Sequence, residues 1–205
     1  MTRKMAAIGL SLGSVLFLMG ACTPIANRFF TEPDPQARVA IVQADPTGWA
    51  ITTLLFAVGA VVAAVGLVLF ARHIQRNQGL ATRLASVAAA GAAAGAGLMA
   101  AINYSRGATR PPQDWVLEPV HWTAYAYIVL MQIALLIAGA VLLRSGYPRW
   151  FGGTVLVTTA LTVVVLILIR NFPPLLFYLI TLFMGFALAT LPSEDPVERP
   201  PPAIE

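Results

Sequence analysis

Six stretches of this chain carry no Asp, Glu, Lys or Arg: 5–27, 46–71, 84–105, 119–143, 150–169 and 171–193, of 23, 26, 22, 25, 20 and 23 residues. All 22 charged side chains fall in the other 66 of its 205 positions. An apolar helix rising 1.5 Å per residue needs about 20 residues to cross a hydrocarbon core ~30 Å thick, so each stretch is long enough to span a bilayer. With 58% hydrophobic and 11% charged residues, the chain is neither a disordered polypeptide nor an ordinary water-soluble domain. The expected fold is therefore all-α: a polytopic transmembrane helical bundle of six spans, near 5–22, 48–71, 82–103, 120–143, 150–169 and 173–191, in a single domain over 1–191. Residues 192–205, rich in Pro and Glu, have nothing to bury and are expected to form a disordered cytoplasmic tail.

Proline positions mark the joints. Pro24 removes a backbone donor just after the first span and should end or kink it. Asp34 before Pro35 reads as a helix start, which predicts a short surface helix from Pro35 to Ala44. Asp45 and Pro46 read as the cap and first residue of span two. Asn77, Gln78 and Gly79 suggest a turn before span three, Pro119 the start of span four, and Pro173 and Pro174 the first turn of span six. No internal repeat is visible: 25 residues separate spans one and two but six separate spans four and five.

Orientation follows from the basic residues. With the N-terminus in the cytoplasm, Arg3, Lys4, Arg72, Arg76, Arg83, Arg144, Arg149 and Arg199 lie inside, and Arg28, Arg38, Arg106, Arg110 and Arg170 outside. Eight against five favours both termini in the cytoplasm. Twelve of the 13 basic residues are Arg, a bias associated with GC-rich bacterial genomes, and the expected location is the bacterial inner membrane. The net charge of +4 is dispersed over helix ends, where it anchors to headgroups, so lipid rather than nucleic acid is the expected partner, with a membrane-protein partner or a second copy as further candidates.

Span three is made of small residues. Ser86, Ala90 and Ala94 continue a face beside the Gly91 and Gly95 pair, which predicts close helix packing and a central place for this helix.

Chemistry is sparse. No charged residue lies mid-span, which weighs against a carrier built on a buried carboxylate, and the only Lys is Lys4 at the N-terminus, which weighs against a retinal protein. His73 and His121 belong to opposite ends of their spans, so they cannot form an axial pair on one haem, and no cofactor is expected. The sequence holds no HExxH, paired CxxC, P-loop or GxSxG motif. Gln132, with Thr158 and Thr162, is the candidate polar path, because a mid-span carboxamide must find a partner. Asp114, Glu118 and His121 form the one cluster with acid-base or metal-binding potential, although Pro119 is expected to keep them off one regular helix. Cys22, after Met19, Gly20 and Ala21, sits in a setting similar to a lipoprotein signal, so lipidation competes with an uncleaved first helix, which the length of the apolar run favours.

The turn Leu142-Leu143-Arg144-Ser145-Gly146-Tyr147-Pro148-Arg149-Trp150-Phe151-Gly152, with the later Met184-Gly185-Phe186, resembles a group of bacterial six-span membrane proteins known as domains of unknown function. The resemblance covers the C-terminal half; it implies a six-helix bundle and brings no catalytic residue. Three functions are open: a non-enzymatic accessory or regulatory subunit, which the missing charge and motifs favour; a permease or binder for a small neutral or lipid-like solute; and a membrane enzyme using the Asp114, Glu118 and His121 rim.

Overall fold

The structure is a computed structural model, and it describes residues 2–74, 78–107, 114–169 and 175–191. Among these, eight helices and no strand are present: α1 (Thr2–Ala21), α2 (Pro24–Thr31), α3 (Pro35–Ala44), α4 (Pro46–His73), α5 (Gln78–Gly107), α6 (Asp114–Leu143), α7 (Arg149–Ile169) and α8 (Leu175–Thr190). Three segments are long and apolar enough to cross a membrane: Thr2–Ala21, Pro46–His73 and Ala126–Leu143.

A cap followed by proline starts three successive helices. The Thr23 hydroxyl accepts from the Ala26 N–H at 3.3 Å, the Asp34 carboxylate from Gln36 at 3.0 Å, and the Asp45 carboxylate from Gly48 at 2.8 Å. Each cap satisfies an otherwise unpaired amide, and each proline occupies a first-turn position that has no amide bond to lose. Pro24 thus ends α1 and also starts a helix, so the 23–47 segment holds two helices rather than the one expected.

Two other boundaries differ from the sequence reading. Gln78 and Gly79 lie inside α5 and do not form a turn before it; Gly79 is exposed with open space around its Cα. Helix α6 begins at Asp114, five residues ahead of Pro119. The proline removes a single bond, to the Trp115 carbonyl, close to the helix start, and the apolar run beyond it carries the helix on. Acidic residues at 114 and 118 also suit the positive end of the helix dipole. Expectations for Pro173, Pro174 and the 192–205 tail fall outside the described residues.

The six longer helices alternate in direction and close into a ring in the order α1, α4, α5, α6, α7, α8. Partner residues run in opposite senses at every seam that carries a close contact. Gly9 meets Gly66 and Gly13 meets Ala63 between α1 and α4; Gly91 meets Met131 and Gly95 meets Tyr127 between α5 and α6; Gly139 meets Leu156 between α6 and α7; Gly185 meets Ser11 between α8 and α1.

The tightest packing is not where the small residues of α5 suggested. Among the described residues α4 packs most extensively on α1, and a Cβ on Gly59 would stand 2.6 Å from the Phe17 amide nitrogen. One on Gly66 would stand 2.5 Å from the Leu10 nitrogen. Only glycine allows two backbones this close. On α5, Gly91 and Gly95 are buried against α6, whereas Ser86 and Ala90 are exposed, and the Ala94 side chain lies outside the described residues. Four of the five positions are alanine or glycine, but helix α5 is one member of the ring rather than its centre.

Aromatic side chains from four of the helices pack in the interior near one end. Phe17 of α1 stacks on Tyr178 of α8 with ring centroids 3.7 Å apart and lies 4.6 Å from Phe56 of α4. The Tyr178 hydroxyl bonds that of Tyr127 of α6 across the ring of helices. The outward faces are apolar: Met5, Ile8, Leu12, Val15 and Met19 on α1, Ile51, Leu54, Val58, Val61 and Val65 on α4, and Val157, Leu161, Val164 and Leu168 on α7 are all exposed. Large apolar residues therefore line the outward faces as well as the core.

Candidate functional site

Helix α6 carries Gln132 into its seam with α7. The side chain is 4% exposed, and it lies one helical position from Ile133, which is 40% exposed, so the outer edge of the seam is close. Gln132 Oε1 and Thr162 Oγ1 are 3.0 Å apart, and Thr162 Oγ1 is 2.7 Å from the Thr159 carbonyl one turn earlier on α7. Thr159 is itself buried and donates to the Val155 carbonyl at 2.7 Å. Gln132 Nε2 has no hydrogen-bond partner among the described residues. Of the expected polar path, Gln132 and Thr162 come together; Thr158 is half-buried and donates to its own helix, to Thr154 at 2.7 Å. Thr159, which the sequence reading passed over in favour of its neighbour, is the buried member of that pair. Spacing alone does not choose between them, since 158 and 159 both stand about one turn from 162.

Two further polar contacts join helices. The Ser14 hydroxyl donates to the Leu10 carbonyl at 2.7 Å, which leaves Thr181 to donate to Ser14 Oγ, also at 2.7 Å, between α1 and α8. At the end of the bundle where α1 begins, Arg3 reaches the free carbonyls at the end of α8: Nε donates to Leu188 at 2.8 Å and Nη2 to Leu191. The same guanidinium stands 5.7 Å over the Tyr147 ring, and the Tyr147 hydroxyl is 3.2 Å from His73 Nε2 at the end of α4. His73 thus belongs to a knot that ties α1, α4, α8 and the α6–α7 turn. Neither Arg3 nor Tyr147 was singled out as a contact residue from the sequence; a cation placed beside a distant helix C-terminus leaves no local sequence pattern.

The Asp114, Glu118 and His121 positions all lie on α6, contrary to the expectation that Pro119 would separate them. Spacings of four and three residues put them on one stripe of that helix. Their side chains are outside the described residues. Cys22 is exposed in the turn between α1 and α2, and the helix ahead of it is built into the bundle: Ala6, Ala7, Leu10, Gly13, Ser14, Phe17 and Gly20 are all buried.

No family model, no curated protein and no solved structure matches this chain.

Proposed function

We propose that the chain is a six-span integral membrane protein with both termini in the cytoplasm of a bacterium, acting as a non-enzymatic accessory or regulatory subunit. One observation carries this reading: large apolar side chains stand exposed on the outward faces of α1, α4, α6, α7 and α8, while glycine contacts and the Phe17, Phe56, Tyr127 and Tyr178 layer pack the helices together inside. An apolar exterior of this kind is solvated by lipid, not by water. Helices α5, α7 and α8 run antiparallel beside neighbours that are long and apolar enough to span, which supports six crossings. Helix α8, with 16 residues, is a shorter apolar helix that reaches ~24 Å. An interior packed with side chains suits a protein that works through its surface.

Within this reading α1 stays attached. Cleavage before Cys22 would strip α4 and α8 of their main partner, together with the Ser14, Phe17 and Arg3 contacts. Reconstitution into liposomes tests the closed interior: passive flux of glycerol and urea should equal that of protein-free vesicles. Flux above that level would favour the second reading, a path for a small neutral solute along the α6–α7 seam, which the half-bonded Gln132 carboxamide supports. In that case Gln132→Leu should abolish the excess.

A further inference from the structure

We propose that the segment 192–205 docks on the basic end of the bundle, its carboxylates held against Lys4, Arg72, Arg144 and Arg149 as a salt-sensitive strap. Direct contacts gather these cations at one place. Arg3 bonds the Leu188 and Leu191 carbonyls and stands over the Tyr147 ring, and the Tyr147 hydroxyl meets His73. Lys4 and Arg72 are the chain neighbours of Arg3 and His73, and Arg144 and Arg149 flank the turn that carries Tyr147. All four side chains are exposed.

No carboxylate among the described residues answers them at this end. Glu32, Asp34 and Asp45 lie between α2 and the start of α4, and Asp114 and Glu118 open α6, so all five belong to the opposite end of the ring. Cations gathered without counter-charge repel one another and draw anions to the surface.

The chain supplies anions on a tether. Beyond Leu191 it carries Glu194, Asp195, Glu198 and Glu205 against the single Arg199, in a run that lies outside the described residues. That run starts among the cations, because Arg3 holds the Leu191 carbonyl. A chain advances at most ~3.6 Å per residue, so Glu194 stays within ~11 Å of Leu191 and Glu198 within ~25 Å. The first radius covers Lys4, beside Arg3. The second covers Arg72, Arg144 and Arg149, which the Tyr147 contacts join to Leu191. Tethering makes the encounter intramolecular, at an effective concentration on the order of millimolar, which an untethered anion must match to compete. Prolines at 192, 196 and 200–202 narrow the free segment's conformations and so reduce the entropy lost on docking. Its apolar side chains are few, so charge rather than burial must hold it. Exposed ion pairs are individually weak and screened by salt, which makes the strap reversible and lets anionic headgroups or another polyanion displace it.

Neither the docking nor its test depends on which side of a membrane this end faces. The full chain with Val197→Cys in a Cys22→Ser background carries a nitroxide at position 197, in nanodiscs of zwitterionic phosphatidylcholine, where no net lipid charge competes. Electron paramagnetic resonance reads the label's mobility. A slow component is expected at ~0.1 M salt, where the Debye length is ~10 Å, and its loss at ~1 M, where it is ~3 Å. Neutralising the segment with Glu194→Gln, Asp195→Asn and Glu198→Gln should remove that component at both salts, and these changes leave the bundle itself untouched. Arg72→Gln, Arg144→Gln and Arg149→Gln together should release the label as well, with the Arg3 contacts intact. A label as mobile in the parent as in the neutralised segment overturns the proposal and leaves the basic end to anionic lipid. A slow component that survives ~1 M salt, the neutralised segment or the loss of the three arginines also overturns it, because something other than these charges then holds the segment.

Discussion

Replacing Gly13 by Ala should loosen the α1–α4 crossing, and the structure fixes both the sign and the size. The added Cβ would stand 2.7 Å from the Ala63 Cα and 2.7 Å from the Gly59 carbonyl oxygen. Both are main-chain atoms, so no side chain can rotate out of the way, and relief requires the two helices to part by about 1 Å. A gap of that size forfeits a quarter to a half of the dispersion well along the neighbouring contacts, and overpacking of this kind costs about 3 kcal/mol, the upper end of the usual range. Alanine recovers about 1 kcal/mol through its better helix propensity. The net loss of ~2 kcal/mol corresponds to an unfolding constant about 30-fold larger. Gly153→Ala is the matched control, since nothing lies within 4 Å of its Cβ position, and there the propensity gain alone should stabilise by ~0.5–1 kcal/mol. Reversible unfolding in mixed micelles, monitored by helical circular dichroism, measures both. A Gly13→Ala protein as stable as wild type would refute the claim that α1 and α4 form the close-packed seam.

Other expectations follow from single contacts. Arg3→Ala should cost about 1–2 kcal/mol by freeing the Leu188 and Leu191 carbonyls and the dipole end of α8, with Arg3→Lys recovering only part, as read by thermal unfolding. Tyr178→Phe leaves the Tyr127 hydroxyl buried without its partner and should cost ~1–3 kcal/mol, whereas adding Tyr127→Phe should restore most of the loss; additive losses in this double-mutant cycle would contradict the cross-bundle bond. Intact-mass spectrometry should find α1 attached and Cys22 free of lipid, and a mass lacking the first 21 residues would exclude the integrated helix. His121→Ala should leave the protein's biological activity unchanged, and loss of activity in a stably folded variant would revive the Asp114, Glu118 and His121 rim as a site.

Much of the helix pattern was legible because charge and proline are local signals. Asp34 with Pro35 and Asp45 with Pro46 fixed two helix starts, since capping depends on the residue itself and the amide two or three positions on. The start of α6 was misread because a proline near a helix beginning looks like the beginning, although the loss of one bond does not stop a helix whose apolar run continues beyond it. The place of α5 was misread for a different reason. Small residues say that a helix can be approached closely but not which neighbour approaches, and the decisive glycines, Gly9, Gly13, Gly59 and Gly66, are spread over two helices among larger residues. For the polar seam, burial and chemistry singled out Gln132, but its partner depends on the rotation of α7, which turns Thr159 and Thr162 inward and Thr158 to its own backbone.

The most direct test of the account is a sidedness map with a membrane-impermeant thiol reagent on intact spheroplasts. Single cysteines at Gln36, Gln75, Gln113, Ser145 and Asn171 would be placed in a Cys22→Ser background. Six crossings with a cytoplasmic N-terminus predict labelling from outside at 36, 113 and 171, and labelling at 75 and 145 only after permeabilisation. Two consecutive positions labelled from the same side, or material released by alkaline carbonate, would contradict a bundle that crosses the bilayer six times.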